Sequence, residues 1–263
     1  MSDSRRFTLT WALGACVIGL AGLNLWQATR RPEPTPAPSA AAAEAVASEL
    51  TQQQITDRFL IQWSDSENTW RKNRFLGIGT QQNPLDVWIT QEIITEVKPD
   101  VIVEAGTHRG GSAALWATFL AQVNPRGRVL TIDVEDRAAK ARKLPIVRRR
   151  VDFLLGSSTA PEIVAEVKRR TQGKRVLVIL DSLHSEEHVL GELRAYQDIV
   201  PRGSYIIVQD GHVNGHPIWP NWGPGPTEAI AAFLKETDAY LPDKTRERLM
   251  MTYNPNGFLR RIR

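Results

Sequence analysis

Beyond residue 100 the chain alternates short apolar runs with stretches of helical spacing. The runs fall at 101–103, 128–133, 151–155, 175–181 and 205–210. Runs of this length, apolar at most positions and uninterrupted at Val101–Val103 and Val176–Leu180, predict strands covered on both faces, as in a parallel sheet. Between them, 112–120, a segment from Pro161, a segment carrying Val189, Leu190 and Leu193, and 227–234 predict helices. Before the first run, 50–63 predicts a helix with Ile55, Phe59 and Leu60 on one face. Trp88, Ile89, Ile93 and Val97 are spaced so that a helix over 85–97 packs on the sheet. Near the end, 249–253 and 258–262 flank the turn Asn254-Pro-Asn-Gly257 and predict an antiparallel hairpin. The pattern is that of an α/β fold with a mostly parallel sheet.

The N-terminal part differs. Residues 7–28 carry no charge, and as a helix these 22 residues would span roughly 33 Å, enough for a bilayer core. The apolar run is too long for a cleaved signal peptide and has no clear small-x-small exit. The expectation is a single-pass N-terminal membrane anchor within 1–30. Residues 31–48 are rich in Pro and Ala and read as a semi-rigid spacer. The globular domain then spans 49–263. Arg5 and Arg6 precede the apolar run and Arg30 and Arg31 follow it, so charge alone does not orient it. A single cysteine, Cys16, excludes an internal disulfide framework and a cysteine-based zinc cluster.

Chemistry concentrates at the ends of the predicted strands. After the first comes Glu104-Ala-Gly-Thr-His-Arg-Gly-Gly-Ser112, a glycine-bearing turn that opens a helix. It is neither G-x-G-x-x-G nor a P-loop. Its pattern is Glu104-x-Gly106-x-x-x-Gly110, and Asp133 closes the next strand, where a carboxylate can accept both ribose hydroxyls. Gly106, Gly110 and Gly111 would let a ligand approach the backbone. This pair of motifs resembles the S-adenosylmethionine site of class I methyltransferases, a Rossmann-like fold. The candidate cofactor residues are Glu104, Gly106, Thr107, Gly110, Ser112 and Asp133. In that arrangement the third turn lies beside the adenine, which adds Ser157 and Ser158; Ser158 or Thr159 is also a candidate cap for the following helix.

Asp181 and Asp210 end the fourth and fifth runs. With the side-chain oxygen of Gln209 they could hold a hard divalent ion such as Mg²⁺, which needs few protein ligands. Such an ion would lower the pKa of an acceptor hydroxyl, and His184 could take the proton. A rival reading makes His184 and Glu186, with a distant histidine, a non-haem iron triad.

From about Trp70 to Arg263 the chain resembles the cephalosporin hydroxylase / rhamnosyl O-methyltransferase family. The resemblance rests on Asp86-Val-Trp-Ile-Thr-Gln-Glu-Ile-Ile, the 104–112 turn, Gly156-Ser-Ser-Thr and Leu180-Asp-Ser-Leu-His-Ser-Glu-Glu-His-Val189. Gly223-Pro-Gly-Pro-Thr-Glu-Ala and Asn254-Pro-Asn-Gly-Phe-Leu-Arg-Arg-Ile262 complete it. It implies S-adenosylmethionine at the first two turns, Mg²⁺ at Asp181 and Asp210, and O-methylation of a hydroxyl on a sugar, glycolipid or small metabolite. The family's metal site uses an acidic pair at the fifth strand end; here the first member is Gln209. That departure keeps open a degenerate, non-catalytic binding module. Because S-adenosylmethionine is cytoplasmic, the domain is expected on that face of the cell membrane.

The basic run 137–150 reads as a solvated surface that could also meet anionic lipid. It lacks the interleaved aromatics of a single-strand nucleic-acid platform, so nucleic acid is not expected as a partner. Oligomerisation is left open. The basic, aromatic stretch 70–84 could cover the ligand pocket. The loop 211–226 holds His212, His216, Trp219 and Trp222 and is expected to wall the acceptor side.

Overall fold

The computed structural model describes residues 50–263. The anchor and spacer expected at 1–30 and 31–48 lie outside the described residues. Among the described residues no helix is long and apolar enough to cross a membrane.

The described residues open with α1 (Gln52–Asp65), capped by a reciprocal pair of bonds between Thr51 and Gln54. A short antiparallel pair, β1 (Arg74–Phe75) and β2 (Ile78–Gly79), precedes α2 (Pro84–Val97). The main sequence of elements is then β3 (Val101–Ala105), α3 (Gly111–Val123), β4 (Arg128–Asp133), α4 (Pro145–Arg150), β5 (Val151–Leu155) and α5 (Pro161–Thr171). It continues with β6 (Val176–Leu180), α6 (Glu186–Tyr196), β7 (Tyr205–Val208), α7 (Pro226–Glu236), β8 (Tyr240–Pro242) and β9 (Phe258–Arg261).

Seven strands form one sheet in the order β5-β4-β3-β6-β7-β9-β8. The first five pair in parallel, and β9 pairs antiparallel with both β7 and β8. The strand order reverses between β3 and β6, the switch point at which open α/β sheets bind their ligands. Side chains alternate across the strands. Ile102, Val129, Leu177, Ile179 and Ile207 therefore pack with Ile89, Ile93, Trp116 and Leu120 of α2 and α3. Val101, Val103, Leu130, Val178 and Ile206 face the opposite side and pack with α5, α6 and α7. A third, smaller core joins Leu60 of α1 to Val213, Ile218, Met251 and Tyr253.

Four expectations need correction. Residues 249–253 are not a strand: Met250 has φ +71°, and the Tyr253 N–H donates to the Asp86 carboxylate at 2.7 Å instead of to a ladder. The antiparallel partner of β9 is β8, so the C-terminal pair exists with a different first strand. Trp88 is 59% exposed and donates to Glu92 along its own helix, while Ile89 and Ile93 make the contact with the sheet. Ile55 and Phe59 are half exposed, and of that predicted face only Leu60 is buried. Neither Ser158 nor Thr159 caps α5, whose capping position is Ala160.

Candidate functional site

The carboxyl ends of the parallel strands open into a cavity of about 860 Å³. Its floor is the turn between β3 and α3. Gly106 has φ +100°, and a Cβ there would fall 1.8 Å from the Asp181 carbonyl oxygen. A Cβ on Gly111 would meet the Gly79 carbonyl at 2.3 Å, and one on Gly110 would meet Ala141 Cβ at 2.8 Å. The glycines therefore let neighbouring turns close upon this one. Gly106 and Gly111 remain on the cavity wall, and Gly110 does not. The first turn of α3 has no side-chain cap. Unpaired N–H groups at such a helix start favour an anionic ligand group.

Asp133, at the end of β4, lies on the wall. Its two oxygens accept from the backbone N–H groups of His108 (2.7 Å) and Glu135 (3.0 Å). Each oxygen keeps a lone pair for a ligand hydroxyl. Ser157 and Ser158 line the same cavity from the turn after β5. Thr107 also lines it, although its hydroxyl bonds Thr131 at 2.7 Å.

Glu104 does not reach the cavity. The alternation that turns Ile102 toward α3 turns Glu104 there as well, where it accepts from Trp116 Nε1 at 3.0 Å and Thr131 Oγ1 at 2.5 Å. Burial pushes its carboxyl up to about 7 against the pull of bonds from Thr131, Ser112 and Trp116. It braces the floor from beneath, and Ser112 stands between it and the wall.

On the other side of the switch point, Asp181, His184 and Asp210 gather with their ligand atoms all within 4.8 Å of one another. His184 Nε2 lies 3.2 Å from Asp210 Oδ2 and 3.9 Å from Asp181 Oδ1. Burial, then repulsion from Asp210 and Glu104, pushes the Asp181 carboxyl well above the usual carboxylate range. Acids so crowded call for a cation or a shared proton. Gln209 is buried beside them, and its carboxamide is engaged by Gln82 in both directions, at 2.9 and 3.0 Å. The same Gln82 amide donates to Asp181 Oδ2 at 2.9 Å. The sequence reading missed Gln82, whose only signal was its place in the stretch expected to cover the pocket. The iron-triad grouping is not assembled. Glu186 is off the cavity wall, and His188 turns to Ser158 and Glu192.

The remaining wall is aromatic. Trp70, Trp219, Trp222 and Tyr253 line it together with His212, which stacks on Tyr253 at a centroid distance of 4.0 Å. Trp222 donates to the His184 carbonyl at 3.1 Å and stacks on Trp219 at 5.5 Å, so one tryptophan both ties the loop down and faces the cavity. Glu228 fastens the loop further by accepting from Asn214 and from the Gly225 N–H. Asp86 joins this side from α2, accepting from Thr252, Tyr253 and Asn83. Burial raises its carboxyl to about 7.

A family model described as Rhamnosyl O-methyltransferase/CmcI matches residues 67–262. The rhamnosyl O-methyltransferase of Mycobacterium tuberculosis is 37% identical over 203 residues, covering 75% of this chain and 81% of that protein. Its counterpart from Mycobacterium leprae is 34% identical and is covered over 86% of its length. Among solved structures, CmcI described with Mg and SAM aligns with a TM-score of 0.57 at 17% identity, covering 89% of this chain and 88% of that one. The CmcI apo-structure aligns at 0.56 and 18% identity, with the same coverage of both chains. At such identity these two likenesses speak for the fold alone. The sequence matches carry the assignment: the chain belongs to the rhamnosyl O-methyltransferase/CmcI family.

Proposed function

We propose that this protein transfers the methyl group of S-adenosylmethionine to a hydroxyl of a sugar-bearing acceptor. The observation that carries the reading is the union, in one cavity, of the Asp133 wall and the Asp181–His184–Asp210 cluster on opposite sides of the strand-order reversal. The rhamnosyl O-methyltransferase relatives support a sugar as the acceptor. Asp133, held by two backbone N–H groups, suits the ribose hydroxyls, and the uncapped start of α3 suits the carboxylate of the methionine moiety.

The converging oxygens of Asp181 and Asp210 fit a hard divalent ion such as Mg²⁺. When bound, the ion would supply Lewis-acid stabilisation of the acceptor oxygen as it loses its proton. His184 Nε2 faces both carboxylates, so a hydroxyl held between them is within its reach. With S-adenosylmethionine bound, this nitrogen would take the hydroxyl proton as the oxygen accepts the methyl group, and S-adenosylhomocysteine would be released. Asp210 stabilises the resulting imidazolium. The aromatic wall supplies flat faces for a sugar ring.

Gln209 favours a second reading, because a neutral residue locked to Gln82 removes one charge from the metal side. On that reading the protein binds the cofactor without consuming it. Calorimetric titration of S-adenosylmethionine, with Mg²⁺ and with chelator, followed by transfer of labelled methyl to rhamnosyl glycosides, separates the two. Saturable binding with transfer is expected. Binding without transfer to any hydroxyl acceptor would favour the module, and absence of binding would overturn both.

A further inference from the structure

Beneath the cavity wall lies a carboxylate that the reaction just described does not use. Glu192, on α6, is fully buried and does not line the cavity. Its Oε1 accepts a short hydrogen bond from Ser158 and a second from Ser182 at 2.7 Å. His188 Nε2 lies 3.1 Å from Ser158 Oγ and 3.3 Å from the same carboxylate oxygen. Ser158, Ser182 and His188 all line the cavity. The other Glu192 oxygen, Oε2, has no partner among the described residues. A buried carboxylate so incompletely paired is costly to the fold compared with an apolar side chain. Stability is therefore a poor reason for an acid at this position.

We propose that Glu192 is a positioning residue that sets the hydrogen-bonding polarity of the wall above it, selecting an adenine base over its 6-oxo counterpart. The inference rests on the S-adenosylmethionine reading. A serine hydroxyl has one proton to donate. Ser158 and Ser182 both spend theirs on Glu192, so toward the cavity they present lone pairs only. With its proton on Glu192, Ser158 can only accept from His188 Nε2, 3.1 Å away. A wall of acceptors is complementary to an amino group and opposed to a carbonyl oxygen, which would face lone pairs with no proton between them. The ribose hydroxyls belong at Asp133 and the reacting end at Asp181 and Asp210. The base is left with the wall formed by the turns after β5 and β6, where these serines stand. The exocyclic amine of adenine is the donor this wall fits.

The test measures the affinities of the full-length protein for S-adenosylhomocysteine and S-inosylhomocysteine, which differ at that amine. The wild type is expected to favour the adenosyl ligand by about 100-fold or more, as a site built around a hydrogen bond does. Glu192→Leu frees both hydroxyls to rotate and should cut that ratio about tenfold or more. Glu192→Gln should keep it within about threefold, because a single amide oxygen can still accept both serine protons. Ser182→Ala, at a half-buried position that tolerates truncation, should also lower the ratio roughly tenfold. A purely structural role would weaken both ligands together and leave the ratio unmoved. An unchanged ratio in Glu192→Leu and Ser182→Ala, or a wild type that does not discriminate, would overturn the inference while leaving the cofactor reading intact. A wild type that binds neither ligand would overturn the cofactor reading and this inference with it.

Discussion

Glu104 is an acid kept close to neutral by its surroundings, and that has a measurable consequence. Burial pushes its carboxyl up to about 7 from the ordinary 4.5 of a free glutamate. An acid whose folded pKa is raised holds its proton more tightly in the native state. Stability therefore falls as pH rises from about 4.5 to about 7, and the cost is complete above that. Glu104→Gln removes the cost and keeps an acceptor for Trp116, while its amide N–H donates to Thr131 once that hydroxyl turns its own proton to Thr107. At pH 8 the variant should be more stable by on the order of 2 kcal/mol, and at pH 4 the two should coincide. Urea denaturation across this range checks it, and parallel pH profiles would refute it. Other residues divide by role. Asp133→Ala should abolish cofactor binding, whereas Asp181→Ala should retain binding and lose metal-dependent transfer. His184→Ala should lower kcat by about 10²- to 10⁴-fold with cofactor affinity unchanged. Titration calorimetry beside a methyl-transfer assay separates the three. Equal cofactor affinity in Asp133→Ala and wild type would contradict the assignment.

At the scale of elements, the turn between β3 and α3 carries the most constraint. Gly106 combines a left-handed backbone with a contact so close that any Cβ would enter the Asp181 carbonyl. Gly106→Ala should destabilise the protein by about 3 kcal/mol or more and abolish cofactor binding, a loss that thermal denaturation and titration would both register. The glycine was legible as a turn residue, but its neighbour was not, since β3 and β6 are adjacent only once the sheet assembles. The C-terminal elements show the converse limit. Residues 249–253 have the composition of a strand, yet the Tyr253 N–H that would feed a ladder is taken by Asp86 of α2, far away in sequence. Local pattern could not register that competition. Trp88 fails similarly: helical spacing marks a face, and packing decides how far around the helix that face extends.

Across the whole molecule, the cavity is closed by parts that belong to no strand. The third small core brings together α1, Val213 and Ile218 of the 211–222 loop, and Met251 and Tyr253 of the 251–253 segment, with Trp219 packed against it. A sugar-bearing acceptor would then meet tryptophan faces, and Trp219→Ala should raise the acceptor KM several-fold with little change in cofactor affinity. Steady-state kinetics on a rhamnosyl glycoside checks this. The apolar stretch 7–28 leads to a separate expectation. Full-length protein should sediment with membranes and a chain lacking residues 1–30 should not; a full-length chain that stays in the supernatant would refute the anchor.

The sequence by itself determined the alternation of strands and helices, the glycine turn, and the acids that end β4 or follow β6 and β7. Each of these is written locally, in hydrophobic period and in the residues that stop a strand. Tertiary structure decided which of those acids share a space. Glu104 and Asp133 read as equivalent strand-end carboxylates, but pleat and register turn one under Trp116 and the other into the cavity. Gln209 read as a ligand oxygen until Gln82, 127 positions earlier, took both ends of its amide. Glu192 gave no signal, since an acid on an amphipathic helix ordinarily faces water; only packing of α6 against the turns after β5 and β6 buries it beneath the serines. Hydrogen-bond partners of buried groups are set by which elements meet, and that is a property of the assembled sheet.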